Sequence, residues 1–400
     1  MYYYAVKRQI VKMHLLSFIL IFASFSTAST FTSTHNQSDC WTKLDSEKDP
    51  SCSCEVSSLR MNQLKTLSQL QTRSASLLPI VLSKTVPELN SQSHKGSSGR
   101  IGILGGSEKY TGAPYYAAMS SLRTGADLAT VFCAEEACTA IKSYSPELMV
   151  QGVYSASRMQ SSDKLVQQKE VTKMVDSVTN SLDRLHALVI GPGLGRDPAV
   201  MNATAQIIRD ARKKGVGLVL DADALFLLSL EDYHDLLLRN DDDEREENAF
   251  VLTPNVVEYE RLLNSIGNGS EDHFRNVTKD VIIVKKGHHD IIERFPSKGC
   301  IENEKQIMVM TCEEKGGLKR SGGIGDILAG AIGTFVAWNK ILSKQGADTD
   351  LLLSCWMASS FTKRSTNAAF KKKKRSMTAP DILEEIGAVV DETTSSTLSF

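Results

Sequence analysis

The chain has almost no net charge, with 46 lysines and arginines against 47 aspartates and glutamates. A nucleic-acid surface needs a basic excess, so that class is excluded. Metal-type cysteine spacing is also missing. Of eight cysteines, Cys52 and Cys54 stand close together, but no second pair or histidine pair follows at zinc-finger distance. Free thiols are expected, with Cys133 in the apolar run LATVFC a core residue. A P-loop, G-x-x-x-x-G-K-[ST], is absent, and GPGLGR (191–196) lacks the spacing of a dinucleotide fingerprint. The apolar run LLSFILIFASF (15–25) is too short to span a bilayer comfortably.

That run has a different use. Lys7, Arg8 and Lys12 precede it, small residues follow near Ala28, and no acid comes before Asp39. This order is that of a secretory signal peptide, with a mitochondrial presequence as the competitor. Residues 1–28 are therefore read as a targeting segment. It directs the chain to the secretory pathway and endoplasmic reticulum or to the mitochondrion, and a cytoplasmic place follows if it is not used. Residues 29–81 read as a poorly ordered connector, and residues 82–395 as one domain. No membrane span is expected in the mature protein.

From about residue 98, short apolar runs alternate with helical stretches: RIGILGG, ADLATVFC, LHALVIGPG, GVGLVLDADAL, AFVLTPN and VIIVKKG. Runs of this length that end in Gly, Asp or Asn read as buried parallel strands. The alternation implies an α/β fold: a three-layer, mostly parallel doubly wound sheet with helices on both faces. In such sheets ligands bind beyond the carboxyl ends of the strands. DDDEREEN (241–248) reads as a solvated insertion. KKKKR (371–375) reads as solvated charge late in a helix, where cations suit the C-terminus.

SGGIGD (321–326) precedes an apolar helix. Glycines let backbone N–H groups converge on an anion, and the helix start adds its own free N–H groups. Asp326 in the first turn is either a favourable cap or a base beside a transferring phosphoryl group. Asn255 and Glu258 in TPNVVEYERL share one face of a starting helix. They form either a capping box or a ligand contact that helps to hold hydrated Mg²⁺. In KKGHHD, Lys286 precedes a glycine turn and Asp290 follows it. The adjacent His288 and His289 have no third ligand nearby, so no dedicated metal-ligand set is expected.

GGSEKYTGAPYYAAMSSLRTGADLATVFC, GPGLGR, DADAL, TPNVVEYERL, KGHHD and SGGIGDILAG occur in one order. Together they closely resemble the ATP-dependent (S)-NAD(P)H-hydrate dehydratases, a family with a ribokinase-like fold, over about Leu82 to Glu392. The resemblance implies a lyase that repairs nicotinamide nucleotides. ATP phosphorylates the hydroxyl that hydration placed on the nicotinamide ring, phosphate leaves, and NADH or NADPH returns with ADP and phosphate. ATP is then the co-substrate, Mg²⁺ the cofactor, and an NAD(P)H-hydrate epimerase the functional partner. A homo-oligomer is compatible with it.

By the same resemblance, the hydrate contacts Gly193 and the turn Asn255, Val256, Val257, Glu258, Tyr259, Glu260 and Arg261. ATP contacts Lys286, Gly287, His288, His289 and Asp290. It also contacts the stretch from Gly316, Gly317, Leu318 and Lys319 through Arg320, Ser321, Gly322, Gly323, Ile324 and Gly325. Asp326 is implied to be catalytic and to meet the substrate hydroxyl. Gly105, Gly106, Tyr110, Thr111 and Ala113 match a segment near the substrate. Ile324 stands where the family usually has glutamine, and the stretch around 297–306 is longer than usual. The alternatives are a ribokinase-like kinase of hydroxymethylpyrimidine type, which keeps a stable phosphoester, and a catalytically inactive nucleotide-binding relative.

Overall fold

The computed structural model describes residues 65–66, 77–89, 91–237, 249–278, 281–295 and 308–395. The expected targeting segment, both insertions at 241–248 and 297–306, and Cys52 and Cys54 lie outside the described residues. Nine strands form one sheet: β1 Arg100–Leu104, β2 Leu128–Ala134, β3 Met149–Tyr154, β4 Ala187–Ile190, β5 Gly217–Leu220, β6 Phe250–Leu252, β7 Ile282–Lys285, β8 Asp290–Arg294 and β9 Met308–Cys312. The central strands ALVI, GLVL and FVL are buried throughout. Continuous apolar runs of this kind suit a sheet covered on both faces.

The strand order is β3-β2-β1-β4-β5-β6-β7-β8-β9. Pairing is parallel from β3 to β7. It turns antiparallel through β8 and β9, which close that side as a hairpin edge. The winding direction reverses between β1 and β4, so the loops after these two strands open a crevice at the carboxyl end of the sheet.

The helices are α1 Leu77–Thr85, α2 Gly112–Thr124, α3 Glu135–Tyr144, α4 Ala156–Met159, α5 Lys164–Thr179, α6 Pro198–Lys213, α7 Asp223–Leu228, α8 Val256–Ser265, α9 Glu271–Val277, α10 Ile324–Lys344, α11 Leu351–Lys373 and α12 Ala379–Thr394. On one face α10 packs against α2, α11 and strands β4 and β5, and α12 and α1 join this layer. On the other face α5 and α6 pack together. The expected doubly wound, three-layer fold is the one observed.

Helix α10 runs through the middle of its layer and is buried on nearly every side from Ile327 to Trp338. A helix that is apolar all round needs neighbours all round. Close approach is possible because Gly330 has no Cβ; one there would overlap the carbonyl oxygen of Ala117 on α2. Hydroxyls finish this seam. Ser120 Oγ donates to the Ile327 carbonyl at 2.6 Å, Ser121 Oγ to that of Gly330 at 3.0 Å, and Thr334 Oγ1 to that of Ser121 at 3.1 Å.

Helix α1 spans the boundary expected at Leu82. Leu78 and Val81, on the connector's side of it, are buried with Leu82, and the helix touches α10 and α11. The packed domain therefore begins no later than Leu77. The basic run 371–375 ends α11 on the surface. Lys372 and Lys373 pair with Glu385 and Asp381 of α12 at 2.7 and 3.6 Å.

Candidate active site

Asp326 lies in the first turn of α10, directly after the glycine-rich stretch. Gly323 caps the helix with φ +91°, and a Cβ there would sit 2.7 Å from Ala379 Cβ and 2.8 Å from the Tyr116 ring. Only glycine meets both demands. Gly323 thus turns the chain into α10, with Tyr116 packed against it. Sequence reasoning missed this tyrosine, because its place depends on how α2 packs against α10.

Below this turn lies a charge cluster at the strand ends. Lys286, just after β7, donates from Nζ to Asp221 Oδ1 at 2.6 Å, with Glu258 Oε2 at 3.8 Å. Asp221 directly follows β5, is buried, and also accepts from Thr253 Oγ1 at 2.8 Å. The Lys286 ammonium is 3.4 Å from where a Gly325 Cβ would stand, so it lies against the backbone of the glycine-rich turn. Burial works against the charged form of Lys286, but Asp221 and Glu258 outweigh it and raise its pKa. Asp326 is pushed up to about 7. Burial is the main cause; Asp221, Glu258 and Asp223 add to it, and Lys286 opposes it.

Asn255 and Glu258 form a full capping box. Glu258 N–H donates to Asn255 Oδ1 at 2.9 Å, and Asn255 N–H to Glu258 Oε2 at 2.8 Å. The capping reading is the one observed, and the cap also turns Glu258 toward Lys286. Val256 and Val257 are exposed beside it, as is Glu260. Tyr259 instead packs edge-on to Phe274 under the Lys285 ammonium. Arg261 stands over the Phe226 ring at 5.6 Å.

Both expected nucleotide segments are tied to α11. The turn from Lys286 to Asp290 closes on itself, with Gly287 N–H donating to Asp290 Oδ1 at 2.9 Å. Lys363 Nζ then bonds Asp290 and the carbonyls of Gly287 and His288 at 3.0 to 3.1 Å. One turn along α11, Thr366 Oγ1 accepts from Gly317 N–H at 3.0 Å. Arg320 folds back onto the Gly317 carbonyl at 2.8 Å, Leu318 is exposed, and Ser321 Oγ is buried without a partner among the described residues. His288 and His289 are exposed and stack on each other at 4.5 Å. Lys363 was not singled out from the sequence because it sits mid-helix with no local motif.

On the other side of Asp326 a cavity of about 680 Å³ opens at the switch point. It is lined by the loop after β1 (Ser107, Tyr110, Ala113), by Gly193 to Asp197 after β4, and by Ala222, Asp223 and Asp326. Gly106 N–H donates to the Pro192 carbonyl and Ser107 Oγ to that of Gly193, which ties the two loops together. Thr111 Oγ1 bonds the Tyr144 hydroxyl at 2.7 Å. Gly105 packs so closely on the Pro192 carbonyl that a Cβ would overlap it. Asp223 accepts from Gly195 N–H and Arg196 Nε, both at 2.9 Å. Gly193 and Asp326 thus reach the cavity, while the turn from Asn255 to Arg261 lies on the Lys286 side and is not part of its lining. Asp326 is the residue shared by the two halves. One half is the glycine-rich turn with Lys286 and its carboxylate partners, and the other a partly open cavity.

A family model described as NAD(P)H-hydrate dehydratase matches residues 101–388. The ATP-dependent (S)-NAD(P)H-hydrate dehydratase of Rattus norvegicus is 38% identical over 314 residues, 76% of this chain and 81% of that protein. That of Arabidopsis thaliana is 38% identical over 331 residues, 78% and 84% of the two chains. Among solved structures, a ribokinase-like superfamily protein from Enterococcus faecalis aligns with a TM-score of 0.57 at 20% identity, over 78% of this chain and 94% of that one. The ADP/ATP-dependent NAD(P)H-hydrate dehydratase of Bacillus subtilis, co-crystallized with ATP/Mg²⁺, aligns at 0.54 and 19% identity, over 79% and 97%.

Proposed function

The chain belongs to the NAD(P)H-hydrate dehydratase family, and on that premise we propose that it carries out the ATP-dependent dehydration of the S form of NAD(P)H hydrate. The products are NADH or NADPH, ADP and phosphate. One observation carries this reading most: Asp326 stands between the glycine-rich turn beside Lys286 and a partly open cavity of about 680 Å³, an arrangement that suits phosphoryl transfer onto a bound hydroxyl. In its ionised form Asp326 takes the hydroxyl proton as the oxygen meets the phosphoryl group, and its raised pKa lets it hold that proton. Lys286 and the N–H groups of the glycine-rich turn stabilise the charge on the transferring group. A hydroxyl leaves poorly and its phosphate ester leaves well, so elimination follows.

The turn from Lys286 to Asp290 and the stretch from Gly316 to Gly325 hold ATP in this reading. The hydrate sits in the cavity against Gly193, with Tyr110 and Ala113 in its wall; Gly105, Gly106 and Thr111 belong to the segment that carries them. Among the described residues no three metal-ligating side chains converge. A Mg²⁺ held mainly by ATP phosphates and water needs few protein oxygens, and the Glu258 carboxylate, turned toward Lys286, fits that need. Bound there, the ion would neutralise phosphate charge. An epimerase that converts the R hydrate to the S form is the functional partner that such stereochemistry calls for.

The test mixes the purified full chain with NADH hydrate, ATP and Mg²⁺. The near-ultraviolet absorbance of the reduced nicotinamide should rise in step with free phosphate and ADP. A stable phosphoester in place of free phosphate would support a kinase of hydroxymethylpyrimidine type instead.

A further inference from the structure

Hydration places a hydroxyl on one ring carbon and a proton on its neighbour, so dehydration must remove both. Within the reading above, on which this inference rests, ATP and Asp326 account for the hydroxyl alone. Its proton goes to Asp326 and its oxygen leaves with phosphate, while the ring nitrogen supplies the electron pair and becomes an iminium. A C–H bond remains on the neighbouring carbon. Its electron pair must form the ring double bond and quench the iminium, and its proton needs an acceptor.

Four carboxylates line the cavity: Glu108, Asp197, Asp223 and Asp326. Glu108 is exposed at the rim. Asp197 caps α6, accepting from Ala199 and Val200 N–H at 2.9 and 3.2 Å. Asp326 already carries the hydroxyl proton. Asp223 remains, and the backbone is strained where it is placed. Ala222 joins β5 to α7 with φ 48° and ψ −110°, a region that a residue with a Cβ rarely adopts. Strain of this sort persists at functional sites when the surroundings enforce it. Here Gly191, whose missing Cβ would overlap the Asp221 carbonyl oxygen, supplies the room.

We propose that Asp223 is a second catalytic residue, which accepts the carbon-bound proton after phosphate departs. The C–H bond breaks, its pair closes the ring double bond, and the proton settles on the Asp223 carboxylate; no oxidant or reductant is needed. The bonds from Gly195 and Arg196 take one lone pair on each oxygen, and a carboxylate offers about four lone-pair sites. Arg196 is itself steadied over the Phe226 ring at 4.2 Å, so the carboxylate cannot swing away.

The experiment follows ADP, free phosphate and reduced nicotinamide in one reaction of the full chain with NADH hydrate, ATP and Mg²⁺. In Asp223→Asn, phosphate release should outrun nicotinamide formation by about 10²-fold or more, the span of a lost general base. Asp223→Glu should recover part of the coupling. A merely positioning role would slow both steps together, and a ratio within about threefold of wild type would overturn the proposal. If the Asn variant does not fold, Asp223→Ala with added formate replaces it. Formate should restore nicotinamide formation without changing ADP release, and a folded variant that formate leaves unrescued overturns it equally. A wild-type chain that makes no ADP from the hydrate would sink the underlying reading instead, and this inference with it.

Discussion

In the proposed reaction Asp326 has to meet two opposed demands. It must be ionised to take a proton, yet it stands among Asp221, Glu258 and Asp223 in a partly closed site that resists its charge, and its pKa rises to about 7. A base is most effective when its pKa lies near the working pH, so burial and the neighbouring acids suit the proposed role. The sign of two consequences follows. Turnover should rise with pH through about 7, as the carboxylate ionises. Stability should move the other way, because the fold binds this proton more tightly than the unfolded chain does. The penalty is absent below the ordinary value of 3.8 and fully developed above about 7. We therefore expect Asp326→Asn to lower kcat by about 10²–10⁴-fold with little change in ATP binding. The same variant should melt higher than wild type at pH 8 and no higher at acid pH. Steady-state kinetics and calorimetry across pH check both, and turnover within about threefold of wild type would leave Asp326 as a helix cap.

Among the elements, α11 anchors both nucleotide segments through Lys363 and Thr366, one turn apart. Lys363→Met should unfasten the turn at Gly287 and leave the buried Asp290 without its cation. Charge-assisted hydrogen bonds contribute about 1.5–3 kcal/mol, so ATP affinity should fall about tenfold or more, with hydrate binding nearly unchanged. Titration calorimetry with each ligand decides; equal losses for both would mean a general collapse of the site. This element also shows where sequence reading stops. The glycine-rich turn and the Asn255–Glu258 box are legible because their partners lie within a few residues of one another. Lys363 serving His288, Tyr116 walling Gly323 and Asp221 pairing Lys286 are contacts between elements far apart in the chain, and nothing local announces them. The strained Ala222 is hidden for the same reason, since DADAL looks like any strand end until β4 packs beside it.

At the scale of the whole molecule, the doubly wound sheet puts the strand ends, the glycine-rich turn and the cavity on one edge, and that order was readable from the alternating apolar runs. The packing of the residues just before Leu82 was not. Helix α1 is short and preceded by polar sequence, so its apolar residues make no visible period, and only the packed layer of α10 and α11 explains them. Leu78, Val81 and Leu82 are all buried there, and Thr85 Oγ1 closes on the Val81 carbonyl at 2.7 Å. Burying an aliphatic side chain contributes about 1.5–3 kcal/mol, so removing these three should cost roughly 4.5–9 kcal/mol as an upper estimate. A chain that starts at Leu77 should keep the full-length melting temperature and activity, because the sheet and both halves of the site lie after it. A chain that starts at Pro87 should melt roughly 5–15 °C lower and expose the apolar faces of α10 and α11, where it would aggregate on warming. Melting curves of the two truncated chains beside the full one provide the check. Equal melting temperatures would show that α1 merely lies on a domain that is complete without it.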